Sequence, residues 1–148
     1  MPDAGHRRLI ELCRADGELC AVPLTSEEEG VGVLAGAWLG GQRGALLMQS
    51  SGVGNCINAI ASVTRSCQLP LFMLVTMRGE WGEGNPWQLT MGHAAATVLD
   101  AVGVRVVVID KADAVEEAVT AMLSMSYATA SATAVLLSQR LIGAKAFL

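Results

Sequence analysis

The sequence is poor in charged residues. Only 16% of its 148 residues are Asp, Glu, Lys or Arg, against roughly 25% in an average soluble domain. Ten basic residues stand against fourteen acidic ones, so the chain lacks the cationic surplus of a nucleic-acid-binding domain. With 52% hydrophobic residues, it is too apolar to be disordered. A single domain with so little charge is expected to bury part of its surface against a partner.

The sequence also lacks long apolar runs and clustered metal ligands. No run approaches the roughly 18 residues that a membrane span needs, and the N-terminus has no signal-peptide pattern. There are two histidines and four cysteines, with no CxxC pair and no zinc-ligand spacing. We therefore expect reduced thiols in a cytoplasmic protein without a metal site of its own; the cysteines are Cys13, Cys20, Cys56 and Cys67.

Short apolar runs alternate with helical patterns along the chain. Their continuous apolarity predicts strands covered on both faces, and the alternation predicts one α/β domain over residues 1–148, with a parallel sheet and helices on both faces. The predicted strands are Ala45–Gln49, Leu71–Thr76, Val104–Ile109 and Thr133–Ser138. The predicted helices are His6–Arg14, Glu27–Gly40, Gly54–Ser66, Thr90–Ala101 and Ala114–Tyr127, the last with a capping box of Asp113 and Glu116.

The first predicted element is a helix that begins almost at Met1. Parallel α/β domains usually open with a strand, so we expect the first strand of the sheet to be missing from this chain.

A threonine, a serine and three glutamates open the Gly- and Ala-rich second helix. Ser26 with Glu29, or Thr25 with Glu28, matches the S/T-x-x-E pattern of a helix cap, and neither pattern uses Glu27. Each glycine that follows costs roughly 1 kcal/mol relative to alanine in a helix, which predicts close approach of a backbone or a flat ligand. A carboxylate at the foot of such a helix is a candidate acid/base group.

The segment Gln49–Asn55 lies between a predicted strand and a predicted helix. Backbone N–H groups in such a turn can face an anion or a cofactor ring. A dinucleotide-binding fingerprint would need a third glycine where Ile57 stands and an acid about 20 residues further on, but the first acid is Glu80. The Gly-Lys-Ser/Thr ending of a P-loop is also absent. On spacing alone, a structural turn and a ligand-binding loop are equally favoured.

The segment Arg78–Gln88 follows the strand that ends at Thr76 and contains two of the three tryptophans. Open α/β sheets bind ligands at this edge, and two tryptophans in a loop indicate a partner contact or a covered site. Arg78 is a candidate for binding a carboxylate, sulfonate or phosphonate. An internal ion pair with Glu80 or Glu83 is the alternative.

Taken together, three segments resemble the α subunits of sulfopyruvate decarboxylases and are similar to the N-terminal half of phosphonopyruvate decarboxylases. They read TSEEEGVGVLAGAWLGG, LLMQSSGVGNCINAIAS and PLFMLVTMRGEWGEGNPWQLTMG. Both families are thiamine-diphosphate-dependent 2-oxo-acid decarboxylases, and the resemblance implies their pyrimidine-binding (Pyr) domain over nearly the whole chain. Relatives carry an opening strand and helix before a segment like Pro2-Asp3-Ala4, which this sequence lacks.

The resemblance also implies roles for individual residues. The family's catalytic carboxylate lies nine residues before the glycine at position 36, which selects Glu27, with Glu28 as the fallback. That carboxylate would hydrogen-bond N1′ of the aminopyrimidine of thiamine diphosphate, and Arg78 would bind the acidic end of the substrate. The other residues implied to bind the cofactor are Gln49, Ser51, Gly52, Gly54 and Asn55.

A partner subunit is implied as well. The superfamily holds diphosphate and Mg²⁺ on a Gly-Asp-Gly segment, a hard-oxygen site, and no Gly-Asp-Gly occurs in this sequence. The resemblance therefore implies a hetero-oligomer in which a β subunit holds the metal and the diphosphate. The implied reaction converts 3-sulfopyruvate to sulfoacetaldehyde and CO₂, as in coenzyme M synthesis, with no part for nucleic acid or membrane. A phosphonopyruvate decarboxylase subunit and a non-catalytic Pyr-fold scaffold are the alternatives.

Overall fold

The computed structural model describes residues 4–143, so Pro2 and Asp3 lie outside the described residues. Four strands form one parallel sheet in the order β1-β2-β4-β3. The predicted parallel sheet is therefore confirmed, and each strand end lies within one residue of the sequence-based limit. The strands are β1 (Leu46–Gln49), β2 (Leu71–Thr76), β3 (Arg105–Ile109) and β4 (Ala132–Leu137).

Six α-helices accompany the sheet within residues 4–143. They are α1 (Arg7–Ala15), α2 (Glu27–Leu39), α3 (Ser50–Ala59), α4 (Pro86–Ala101), α5 (Val115–Thr129) and α6 (Gln139–Ile142). A π-helical stretch, Ile60–Arg65, continues α3. No helix in this part of the chain is long and apolar enough to cross a membrane.

The starts of two helices and the cap of a third differ from the sequence-based expectation. Helix α3 begins at Ser50 rather than Gly54, directly where β1 ends. Helix α4 begins at Pro86 rather than Thr90, because proline lacks only an N–H that the first helical turn leaves free. The capping box on α5 is wrong: Asp113 lies in a 3₁₀ turn, and the residue that precedes α5, Ala114, has no side chain able to cap it.

The helices cover both faces of the sheet, as predicted. Alternate side chains of a strand point to opposite faces: Met73 of β2 packs in a core with α2, α3 and α4, whereas Phe72 packs in a second core with α5. Every residue of β2 is buried. Strand β3 departs from the expectation of full cover, since Val108 is 52% exposed, because β3 is an edge strand with fewer helices against it.

His6 ties the start of the described chain to the sheet. The side chain is buried, and its Nε2 lies 3.2 Å from the carbonyl oxygen of Met48 and 3.0 Å from that of Leu74. Because a carbonyl only accepts hydrogen bonds, Nε2 carries the proton. The segment that leads into α1 is thereby anchored at β1 and β2, near the carboxyl ends of both strands.

Candidate active site

The first turn of α2 uses one of its three glutamates as a cap. Ser26 Oγ accepts a hydrogen bond from the Glu29 N–H at 3.3 Å, and Glu29 Oε2 accepts from the N–H and hydroxyl of Thr25 at 2.7 and 2.8 Å. These two bonds from Thr25 lower the pKa of Glu29. The Ser26–Glu29 cap is thus confirmed, while Glu28 is exposed to solvent. Glu27 is left for another role.

The Glu27 side chain lies against α3 and meets two other residues of the sequence-predicted site. Asn55 Nδ2 donates to Glu27 Oε2 at 2.8 Å. A Cβ atom added to Gly52 would lie 2.5 Å from both Cδ and Oε1 of Glu27, so the carboxylate occupies the space that a side chain at position 52 would need. The structure therefore brings Glu27, Gly52 and Asn55 together at the end of β1.

Cys56 follows Asn55 in α3, and its thiol is unreactive. It is fully buried, and burial, reinforced by the negative charge of Glu27, raises the pKa of its thiol to about 11. The thiol is therefore protonated at neutral pH, and reactivity belongs to the thiolate. All four cysteines are free, as expected from the sequence.

The remaining residues of the Gln49–Asn55 segment lie at the start of α3. Gln49 precedes the helix, and its Nε2 donates to Ser51 Oγ at 3.2 Å. Gly54 is exposed. A Cβ atom added to it would lie 3.5 Å from Cε of Met91 in α4, an ordinary van der Waals contact. The segment from Ser50 onwards is thus the N-terminus of α3 rather than a turn before the helix, and whether it binds a ligand stays a prediction. The bonds of Ser51 and Gly54 to a cofactor stay a prediction.

Arg78 forms an internal ion pair, which was the alternative interpretation of this residue. Its Nε and Nη2 donate to the two carboxylate oxygens of Glu83, each at 2.7 Å. The side chains are only 8% and 1% exposed. This two-pronged geometry is the strongest arrangement for an arginine and a carboxylate. A direct contact of Arg78 with the substrate stays a prediction. Its guanidinium is already paired with both carboxylate oxygens of Glu83.

Glu83 is the centre of a wider network in the segment that follows β2. Its carboxylate also accepts hydrogen bonds from the N–H groups of Gly79 and Asn85, at 3.3 and 2.9 Å, and from Gln139 Nε2 at 3.1 Å. The pKa of Glu83 is lowered to about 2, first by Arg78 and then by these donors. The carboxylate is therefore charged at any physiological pH.

Gln139 and Ser50 fix this segment to the rest of the sheet edge, and sequence analysis assigned neither a role. Gln139 is fully buried, and its Oε1 accepts from the N–H groups of Glu80 and Trp81 at 2.9 and 3.0 Å. Ser50 Oγ accepts from the Arg78 N–H at 3.1 Å. The sequence feature that could have indicated these two residues is their position within two residues of the end of an apolar strand. Together they join the carboxyl ends of β1, β2 and β4.

Replacing Gly52 with alanine is expected to impair activity without impairing folding. The new methyl group would collide with the end of a flexible side chain, so Glu27 would swing aside at little cost. Alanine also favours a helix over glycine by about 1 kcal/mol. We expect an unchanged or slightly higher unfolding midpoint in thermal denaturation. In a complex with the implied β subunit, we expect at least about a tenfold loss of turnover because Glu27 is misplaced.

The exposed Asn58 of the same helix provides the matched control. Asn58→Ala gives a similar gain in helix propensity and leaves Glu27 in place, so its turnover should equal that of the unmodified chain. Full activity of Gly52→Ala would contradict the view that the contact between Gly52 and Glu27 positions the carboxylate.

The fold and the site define an open parallel α/β domain in which the carboxylate of Glu27 contacts Gly52 and Asn55 at the carboxyl edge of the sheet. No protein-family model matches the chain. The chain is 41% identical over 100 residues to the sulfopyruvate decarboxylase subunit alpha of Methanocaldococcus jannaschii, covering 68% of this chain and 59% of that one. It is 38% identical over 102 residues to the subunit of the same name from Methanococcus maripaludis, covering 69% and 61%.

A longer relative is the phosphonopyruvate decarboxylase of Streptomyces viridochromogenes, 36% identical over 93 residues that cover 62% of this chain and 23% of that enzyme. The resemblance inferred from the three segments is therefore confirmed: the chain is similar to sulfopyruvate decarboxylase α subunits, with phosphonopyruvate decarboxylases as further relatives. The matches span about three fifths of the length of the α subunits.

Proposed function

We propose that this chain is the α subunit of a heteromeric thiamine-diphosphate-dependent decarboxylase that converts 3-sulfopyruvate to sulfoacetaldehyde and CO₂. The similarity to two sulfopyruvate decarboxylase α subunits, at 41% and 38% identity, supports this substrate and this subunit role. We expect the enzyme to be located in the cytoplasm. The chain is expected to be inactive without its partner.

The observation that carries the proposal is the contact of Glu27 with Gly52 and Asn55. Asn55 occupies one carboxylate oxygen, and no residue in 4–143 donates a hydrogen bond to the other. A half-buried carboxylate with one oxygen available can accept a hydrogen bond from a protonated ring nitrogen. These residues fit the aminopyrimidine of thiamine diphosphate.

In that role Glu27 would hold a proton at N1′ of the aminopyrimidine, and Asn55 would fix the orientation of the carboxylate. Gly52 would keep the space into which the carboxylate projects. When bound, the cofactor supplies the electron sink that decarboxylation of a 2-oxo acid requires. The part of the chain described by the structure contributes a proton-transfer group, held against the first turn of α3.

The diphosphate and Mg²⁺ are proposed to lie on the partner β subunit. Residues 4–143 contain no cluster of three or more metal-ligating side chains, and the sequence has no Gly-Asp-Gly segment. The outer face of α2 supports such a partner, because Leu39 is 77% exposed. Apart from the neighbouring residues and backbone of α2 itself, no atom of residues 4–143 would lie within 4 Å of a Cβ added to Gly32 or Gly36. A helix that is apolar on all sides is typical of a buried environment.

Phosphonopyruvate is the second candidate substrate. The observation in its favour is the 36% identity to a phosphonopyruvate decarboxylase. Sulfonate and phosphonate are both tetrahedral oxyanions and differ mainly in charge. The identity to the sulfopyruvate decarboxylase α subunits is higher, at 41% and 38%, which favours sulfopyruvate.

The test is CO₂ release by this chain co-purified with its β subunit, with thiamine diphosphate and Mg²⁺ present and both substrates offered separately. A preference for 3-sulfopyruvate in kcat/KM supports the proposal, and a preference for phosphonopyruvate selects the second candidate. Turnover of neither by a stable, cofactor-loaded complex would reject both substrates. Tight binding of thiamine diphosphate by the isolated chain would contradict the division of the site between two subunits.

A further inference from the structure

Two arginines lie at the carboxyl edge of the sheet, and only one of them has an ionic partner. Arg78, which follows β2, is held by Glu83 through two hydrogen bonds. Arg140, which follows β4, is exposed and forms no ion pair with any residue in 4–143. Of these two arginines, Arg140 is therefore the one available to an anionic ligand.

Arg140 is held in a defined place by an aromatic ring. Its Cζ lies 4.0 Å from the ring centroid of Trp81, a separation at which the π face attracts the guanidinium. Stacking occupies one flat face and leaves N–H groups at the edges of the guanidinium free to donate. Such an edge matches two oxygens of a tetrahedral sulfonate or phosphonate.

Partly buried hydrogen bonds fix both partners of this stack. Gln139, the neighbour of Arg140, accepts from the N–H groups of Glu80 and Trp81 at 2.9 and 3.0 Å. In return Glu80 Oε2 accepts from the Ser138 hydroxyl at 3.1 Å and the Gln139 N–H at 3.0 Å. The Glu80 carboxylate is thus engaged with the start of α6, and it forms no ion pair with Arg140 within 4.0 Å.

The stack also lies on the same edge as the Glu27 site. The chain of contacts runs from α3 through Ser50 to Arg78, then through Glu83 and Gln139 to Arg140. Strands β1 and β4 flank β2, so their carboxyl ends are separated by about 10 Å, two strand spacings.

We propose that Arg140, stacked on Trp81, binds the sulfonate of the substrate and sets the specificity of the site for an anionic 2-oxo acid. This inference rests on the function proposed above and assigns to Arg140 the role that sequence analysis gave to Arg78. A cation fixed at the departing carboxylate would stabilise the reactant more than the transition state, in which that charge is lost. The sulfonate keeps its charge throughout, so a fixed cation is suited to it.

The test compares Arg140→Met and Arg140→Lys in the complex with the β subunit, using 3-sulfopyruvate and pyruvate, which lacks the sulfonate. For Arg140→Met we expect KM for 3-sulfopyruvate to rise about 10- to 100-fold, the loss of hydrogen bonds to a charged group, with a much smaller change in kcat. Arg140→Lys should recover part of the loss. Turnover of pyruvate should not change.

Lys111 provides the matched control, because it is an exposed cation that follows β3 at the same edge of the sheet. Lys111→Met should leave every parameter unchanged. An unchanged KM for 3-sulfopyruvate in Arg140→Met, with the unmodified complex active, would overturn the assignment of Arg140. An equal loss for pyruvate would also overturn it, since that would reflect damage to the fold.

A binding measurement separates this inference from the proposed function. Calorimetric titration of the complex with 3-sulfopropanoate, which cannot react because it lacks the 2-oxo group, needs no turnover. Binding that Arg140→Met weakens at least tenfold supports the inference even if no substrate is decarboxylated. Binding that is absent, or equal in Arg140→Met, overturns it.

Discussion

Glu27→Gln in the reconstituted complex is expected to lose roughly 100-fold or more of its decarboxylase activity, the usual weight of a positioned proton-transfer group. Glutamine has the shape of glutamate, and its amide oxygen can still accept the hydrogen bond that Asn55 now gives to Oε2. It cannot share a proton with a ring nitrogen near neutral pH. The measurement is the initial rate of CO₂ release at saturating thiamine diphosphate, together with the unfolding midpoint.

Glu28→Gln is the control for this substitution. Glu28 is next in the chain, exposed, and outside the contact with Gly52, so its replacement should change the rate less than about twofold. Activity retained by both variants would favour the non-catalytic scaffold. A loss confined to Glu28→Gln would move the catalytic role by one residue and contradict the geometry at Gly52.

The strands could be predicted from the sequence because their apolarity is continuous and local. Strand β2 shows this most clearly, since Leu71–Thr76 has the same bounds in sequence analysis and in the structure. Glu27 was selected by the resemblance, which places the catalytic carboxylate nine residues before Gly36, and its catalytic role stays a prediction. The start of α3 at Ser50 was not predictable in the same way, because the glycines at 52 and 54 are poor helix formers. The space at Gly52 is taken up by the side chain of Glu27, a contact between distant parts of the chain.

The network beyond β2 could not be predicted, because its contacts join residues far apart in the chain. Gln139 and Glu80 are 59 residues apart and meet only because β2 and β4 are neighbours in the sheet. The order of the strands decides this pairing, and local patterns do not encode strand order. The same reason explains why Arg78 was given a ligand-binding role: its partner Glu83 was one of two nearby carboxylates, and only the fold selects between them.

Glu83→Gln is expected to lower the free energy of unfolding by about 3 kcal/mol at pH 7, the scale of a buried ion pair that loses one partner. The Glu83 side chain is 1% exposed. Because glutamine is neutral, the substitution would leave the Arg78 guanidinium buried without a counter-ion. The neutral amide could keep some of the hydrogen bonds from Gly79 and Asn85, so the fold should persist. Urea denaturation of the purified chain gives the difference.

The destabilisation should depend on pH in a defined direction. The pKa of Glu83 falls from an ordinary value of 4.5 to about 2 on folding, so between these values the unfolded chain binds more protons than the folded one. The stability that the charged carboxylate contributes is complete above about pH 5 and is lost as the pH falls towards 2. The difference between the unmodified chain and Glu83→Gln should shrink over that range.

Glu11→Gln is the matched control, because Glu11 also pairs with arginine but lies on the surface of α1 with 55% of its side chain exposed. Exposed ion pairs contribute about 0–1 kcal/mol, so this variant should differ little from the unmodified chain at any pH. An equally small effect of Glu83→Gln would mean that the ion pair with Arg78 does not hold the segment after β2. Arg78 would then be as available to an anionic ligand at this edge as Arg140.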